Sequence, residues 1–149
     1  MSYNDALAGR CSLPGHIYHI TVCTRHRQPF FSDWRLGRLI VQELQHAQTH
    51  LDVQSLAWVL MPDHLHWLMQ LNETTTLART LRVFKGRSAK TANHYLDRTG
   101  GLWQKGFHDH AIRQNESLQQ VARYIVANPI RAGLVRRVGD YPLWDAVWL

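Results

Sequence analysis

Apolar and polar positions along the chain alternate between the period of strands and that of helices. The segment Ile17 to Thr24 is rich in β-branched residues and follows Pro14-Gly15, so it predicts a first strand. From Asp33 to His50 apolar residues recur at helical spacing, which predicts a helix capped by Ser32 or Asp33.

The middle of the chain predicts a hairpin and a long helix. Val53 to Leu60 and His64 to Leu71 are apolar runs joined by Met61-Pro62-Asp63, as in an antiparallel pair of strands. Helical spacing returns from Thr76 to Leu96, with Gly86 as an interruption.

The last third predicts one more strand and one more helix. Trp103 to Arg113 reads as a fourth strand after the break at Gly100-Gly101. Glu116 to Ala127 is helical, with Asn115 as its cap, and it ends at Asn128-Pro129 because the residue before proline avoids the α region. The order β-α-β-β-α-β-α indicates an α+β, ferredoxin-like split βαβ sandwich. We expect an antiparallel sheet with helices on one face, the first and the His-bearing strands at its centre, and an added C-terminal helix.

Composition bounds the class of protein. The chain has 149 residues, 45% of them hydrophobic, which predicts a single domain over 1–149 with a real core. Its formal net charge is +6, carried by fourteen Arg and three Lys. Arg suits bidentate phosphate contacts, so nucleic acid is the expected partner and an acidic membrane surface the weaker alternative.

The cysteines and the apolar runs predict where in the cell the protein is located. Cys11 and Cys23 have neither a zinc spacing nor the number needed for a disulfide framework, which favours a reducing cytoplasm. Residues 1–10 lack the apolar segment of a signal peptide, and no run approaches the roughly 20 residues of a membrane span. We therefore expect a cytoplasmic protein without membrane contact, associated with the nucleoid.

Two histidines stand inside the apolar run WVLMPDHLHWLMQL. In a strand, His64 and His66 project from the same face and can bind one divalent metal ion. Their apolar flanks favour this interpretation, since buried imidazoles without a partner are costly. A purely structural role stays open, because two histidines at this spacing arise readily in a chain with ten.

Tyr124 is the candidate nucleophile. It shares a helix face with Gln120 and Asn128, and its hydroxyl needs activation to attack a phosphodiester at neutral pH. Helix packing is the alternative role, and Tyr3, Tyr18, Tyr95 and Tyr141 are rival nucleophiles. Asn128 can also cap a following helix that has proline at its first position.

Basic and aromatic side chains supply a candidate DNA surface. The second helix carries a run of positive charge, which tracks phosphates or is merely a solvated face. Trp103 either stacks on unpaired bases or belongs to the core. The candidate DNA-binding residues are Arg10, Arg25, Arg79, Arg82, Lys85, Arg87, Lys90, Trp103 and Arg113.

Taken together, these motifs resemble the REP-associated tyrosine transposases, which are single-tyrosine HUH endonucleases related to insertion-sequence transposases. The resemblance covers nearly the whole chain. It is carried by PGHIYHITVCT, VLMPDHLHWLMQL, GLWQKGFHDHAIR and YIVANPIRAGLV.

The resemblance implies a ferredoxin-like fold and a chemistry. His64 and His66 would bind Mg²⁺ or Mn²⁺, with Asn128 where insertion-sequence relatives generally have glutamine. Tyr124 would attack single-stranded DNA beside hairpin-forming repetitive extragenic palindromes, giving a 5′-phosphotyrosine link and a free 3′-OH. The resemblance favours a monomer, with helix exchange in a dimer as the alternative.

Three other functions compete with this one. A hairpin-binding protein without catalysis would share the basic surface. A ferredoxin-like RNA-binding module would carry an aromatic RNP-type motif, and this sequence lacks one. A zinc hydrolase would need an HExxH motif or a glutamate beside the histidines, and the sequence has neither.

Overall fold

The computed structural model describes residues 16–148, so the predicted DNA contact Arg10 lies outside the described residues. Five strands and four helices follow one another along the chain. They are β1 (Ile17–Cys23), α1 (Trp34–His50), β2 (Val53–Met61), β3 (His64–Leu71), α2 (Leu77–Leu96), β4 (His108–Ala111), α3 (Leu118–Val126), α4 (Asn128–Arg131) and β5 (Trp144–Ala146). The α+β prediction is confirmed.

The helix caps follow from local sequence. The Asp33 side chain accepts hydrogen bonds from two backbone N–H groups of the first turn of α1, which selects it over Ser32. The cap of α3 is Ser117, whose side chain accepts from the N–H of Gln120. The prediction of Asn115 is wrong, because the chain turns into the helix two residues later.

The sheet has the order β4-β1-β3-β2-β5, and every pair of neighbours is antiparallel. The His-bearing strand β3 is thus the middle of five, with β1 beside it as predicted. Register places Thr21 of β1 and Val59 of β2 opposite His66. The short strand β5, which pairs with β2, was not predicted.

The fourth strand is shorter than the predicted Trp103 to Arg113. Only His108–Ala111 pairs with β1, while Trp103 makes one isolated bridge with Thr24. Between them Gly106 has a φ of +73°, a left-handed conformation that suits glycine and breaks an extended run.

Alternation along β3 gives the sheet two different faces. Leu65, Trp67 and Met69 are fully buried toward α1 and α2, and the Trp67 ring lies 5.4 Å from Phe84 of α2. His64 and His66 project from the other face, which α3 covers by packing on β2 and β3. The prediction of helices on one face therefore holds for α1 and α2, and the added helix occupies the opposite one.

Candidate active site

His64 is fixed by an acidic neighbour. Its Nδ1 lies 2.7 Å from Oδ1 of Asp63, whose Oδ2 accepts a hydrogen bond of 2.9 Å from Nε of Arg27. Burial alone would raise the pKa of Asp63, but these hydrogen bonds outweigh it and lower the pKa. An ionised carboxylate only accepts, so Nδ1 of His64 carries a proton, and Nε2 is the ring nitrogen left for a metal ion.

His66 is held by β1. Its Nδ1 lies 3.0 Å from Nε2 of His19 and 3.2 Å from Oγ1 of Thr21, both on the same face of the sheet. Burial, reinforced by the nearby basic groups of His64, His19, Arg131 and Arg27, lowers the pKa of His66 to about 3. Its imidazole is therefore neutral at physiological pH, the state that binds a metal ion.

The two imidazoles meet edge to face, with ring centroids 4.9 Å apart. Both Nδ1 atoms have hydrogen-bonding neighbours, so Nε2 is the atom of each ring that a metal ion would use, and this pattern of supported imidazoles is typical of metal-binding histidines. Within residues 16–148, no three His, Cys, Asp or Glu side chains converge on one point. The donor set fits a divalent ion only if other ligands, such as amide or phosphate oxygens, complete it.

Tyr124 lies on the same side of the sheet and is 60% exposed. It lines a groove of about 420 Å³ together with His19, the residue that contacts His66. The groove is lined by His19, His110, Asn115, Glu116, Ser117, Gln120, Val121 and Tyr124. The predicted nucleophile and the predicted metal ligands are thus connected through one imidazole of β1.

Asn128 is the first residue of α4 and is half-buried. Its Nδ2 donates a hydrogen bond of 3.0 Å to the carbonyl of Ile125. The cap of α4 is Ala127, so the interpretation of Asn128 as a cap is wrong. Its role as a metal ligand stays a prediction, and the atom that would serve is the amide oxygen.

The basic run of α2 lies on the sheet face opposite the histidine pair. Arg87 pairs with Glu43 at 2.8 Å. Lys85 donates to the carbonyls of Gln104 and Gly106, and burial lowers its pKa. Both side chains therefore brace the fold in addition to any role in binding.

The remaining candidates within the described residues are all exposed. Arg25, Arg79, Arg82, Lys90 and Arg113 are exposed, and Arg113 lies just before α3, where its N–H donates to the groove residue Glu116.

Trp103 is a core residue. It is 8% exposed, its Nε1 donates to Oγ of Ser88 at 2.8 Å, and its ring contacts Phe31 and Phe84. The prediction that it stacks on DNA bases is corrected, because no face of the ring is available to a base.

Sequence reasoning missed the residues that support the candidate site. His19 shares its strand face with Thr21, but its contact with His66 depends on the pairing register of β1 and β3, which the sequence pattern leaves open. The contact of His110 with Glu116, at 3.0 Å, likewise depends on how β4 leads into α3.

The chain is similar to known transposases. The family model described as "Transposase IS200 like" matches residues 12–128. A "Putative REP-associated tyrosine transposase" of Haemophilus influenzae is 30% identical over 145 residues, covering 86% of this chain and 78% of the relative. A REP-associated tyrosine transposase of Escherichia coli K12 is 31% identical over 88 residues, covering 58% of this chain and 50% of the relative.

A solved structure is also similar. It is that of a REP-associated tyrosine transposase bound to a REP hairpin, with a TM-score of 0.71 and 26% sequence identity. The match covers 89% of this chain and 78% of that one. None of the helices within residues 16–148 is long and apolar enough to span a membrane. The chain belongs to the family of IS200-like transposases, and it is similar within that family to REP-associated tyrosine transposases.

Proposed function

We propose that this transposase is a metal-dependent endonuclease and strand transferase for single-stranded DNA, with Tyr124 as its nucleophile. The observation that carries the proposal is the groove that Tyr124 shares with His19, since His19 in turn contacts His66. One relative was solved with a REP hairpin. We therefore propose hairpin-forming repetitive extragenic palindromes as the substrate of this chain, which would bring it to the nucleoid.

The reaction exchanges one phosphate ester for another. Oη of Tyr124 gives up its proton and forms a bond to the scissile phosphorus, while the bond from phosphorus to the 3′-oxygen breaks. That oxygen takes up a proton and leaves as a 3′-OH, and the 5′-phosphate stays on Tyr124. Because the number of phosphate ester bonds is unchanged, attack by a 3′-OH can rejoin the strand without ATP.

The proposed metal is Mg²⁺ or Mn²⁺, held by Nε2 of His64, Nε2 of His66 and the amide oxygen of Asn128. When bound, such an ion polarises the scissile phosphate and compensates its charge. The part of this chain is to orient both imidazoles, which is the role of Asp63 for His64 and of His19 for His66.

The exposed basic residues are the proposed contacts to the DNA backbone. The backbone N–H of Arg113 donates to Glu116 at the edge of the groove, and we propose that its exposed guanidinium contacts the strand that enters there. The exposed cations of α2 lie across the sheet and would contact DNA away from the cleaved phosphate. Binding of this kind weakens as salt concentration rises.

We further propose that the monomer is the active unit. Helix α3 buries Ala122, Ile125 and Val126 in the core of its own chain, so Tyr124 is presented on the same sheet as His64 and His66. A nucleophile supplied by a second copy is not needed to complete this site.

The test is covalent capture of labelled hairpin DNA, taken from the repeats of the host, in the presence of Mn²⁺. The wild type is expected to give a slow-migrating, protease-sensitive adduct on a denaturing gel, and Tyr124→Phe none. Tyr95→Phe is the matched control, because Tyr95 is also exposed on a helix but lies on the opposite face of the sheet. A native-gel shift without adduct or nicking would replace the proposal with a hairpin-binding function.

A further inference from the structure

The chain turns back between α3 and α4, and this turn brings Arg131 into contact with Tyr124, the proposed nucleophile. Helix α3 ends at Val126, and Pro129 in α4 precedes Arg131 by two residues. Nη2 of Arg131 donates to the backbone carbonyl of Tyr124 at 2.5 Å, and its Cζ lies 3.7 Å from the centroid of the Tyr124 ring. A single side chain therefore contacts both the backbone and the ring of this residue.

This double contact restricts an otherwise mobile side chain. Tyr124 is 60% exposed, so core packing alone does not fix its ring. A guanidinium lying on the aromatic face attracts it through the ring quadrupole and limits the rotation that an exposed side chain retains. The direction of the phenol oxygen consequently depends on Arg131.

Arg131 also brings hydrogen-bond donors to the side of the Tyr124 ring. The guanidinium has five N–H donors, and only one is used on the Tyr124 carbonyl. The others are available to a phosphate that approaches the phenol oxygen.

We propose that Arg131 is a positioning residue for the nucleophile, which holds the Tyr124 ring in the attack direction and offers positive charge beside its oxygen. This inference rests on the proposed function, in which Tyr124 attacks the scissile phosphate. No proton or bond of Arg131 changes in the reaction. As the phenol loses its proton, the negative charge on its oxygen develops next to the guanidinium.

A merely structural role would be to cap the C-terminal end of α3 through the Tyr124 carbonyl. Lysine can donate to that carbonyl and keeps the charge, but it has no planar group to lie on the ring. The Arg131→Lys variant therefore separates capping from ring positioning. Arg123→Ala is the control for loss of one positive charge, since Arg123 is exposed on α3, the helix that carries Tyr124.

The experiment measures the single-turnover rate of adduct formation with saturating hairpin DNA and Mn²⁺. We expect Arg131→Ala and Arg131→Lys to slow this step about a hundredfold, as misplacement of a reacting group by about 1 Å does. Hairpin affinity and melting temperature are expected to stay near those of Arg123→Ala. Added methylguanidinium should partly restore Arg131→Ala and leave Tyr124→Phe inactive. A wild-type rate in Arg131→Lys, or slowing without rescue, would overturn the inference.

A second measurement does not depend on catalysis. With fluorotyrosine incorporated, the ¹⁹F signal of Tyr124 is assigned by its absence in Tyr124→Phe. Removing Arg131 is expected to shift and sharpen this signal, whereas Arg123→Ala should leave it in place. If the wild type forms no adduct but the signal responds to Arg131, the proposed function fails and the ring contact stands. If the ¹⁹F signal of Tyr124 does not change when Arg131 is removed, the inference is wrong, whether or not the wild type forms the adduct.

Discussion

Replacing Asp63 by Asn removes the carboxylate that orients His64. Asn keeps only one acceptor oxygen, so the contacts of 2.7 Å to Nδ1 of His64 and 2.9 Å to Nε of Arg27 cannot both persist, and the negative charge is lost. Losing such a partner of a metal-binding histidine weakens metal affinity about 10–100-fold. The Asp63 side chain is 26% exposed, so solvent screening places the effect near the lower end of that range. We expect about tenfold weaker Mn²⁺ binding, which corresponds to about 1.4 kcal/mol.

Calorimetric titration of Mn²⁺ into the metal-free protein measures this directly. The matched control is Arg27→Gln, which removes the other partner of the same carboxylate and keeps the contact with His64. We expect its affinity to lie between those of the wild type and Asp63→Asn, and His64→Ala to abolish binding. Wild-type affinity in Asp63→Asn, measured at an unchanged melting temperature, would refute the argument that the carboxylate orients the imidazole.

Two further outcomes are expected. The pKa of Tyr141 is raised to about 12 by burial, so this phenol stays neutral in the folded chain between pH 10 and 12 while it ionises in the unfolded one. The stabilisation is complete below pH 10 and lost as the pH rises; in chemical denaturation at pH 11 the wild type should lose about 1.4 kcal/mol more than Tyr141→Phe, relative to pH 8. A mixture of Tyr124→Phe and His66→Ala should form no adduct if each monomer is a complete site, and recovered adduct would show exchange of α3 between copies.

The elements that the sequence predicts best are those with many periods. α1 and β3 repeat their pattern over 17 and 8 residues, and the structure has them where the pattern places them. β5 has only three residues, too few for an alternation to be recognised. The prediction extends β4 back to Trp103 because aromatic residues favour strands, whereas the left-handed backbone of Gly106 ends the extended run.

The parts of the candidate site that depend on residues close together in the sequence can be predicted, and those that depend on distant residues cannot. The shared direction of His64 and His66 follows from alternation within one strand, and that of Tyr124 and Gln120 from one helix turn. The contact of His19 with His66 spans 47 residues and depends on strand register. Arg131 reaches Tyr124 only because the chain turns back at Asn128-Pro129, which the sequence marked as an end and not as a return.

The central place of β3 has a consequence for how this protein opens. The amides of β3 are hydrogen-bonded between two neighbouring strands, so their exchange with solvent deuterium requires loss of most of the sheet. Helix α3, with nine residues covering one face, can detach at a lower free energy. We therefore expect the two parts of the proposed site to differ in local stability, so that partial opening releases Tyr124 first and leaves His64 and His66 in place.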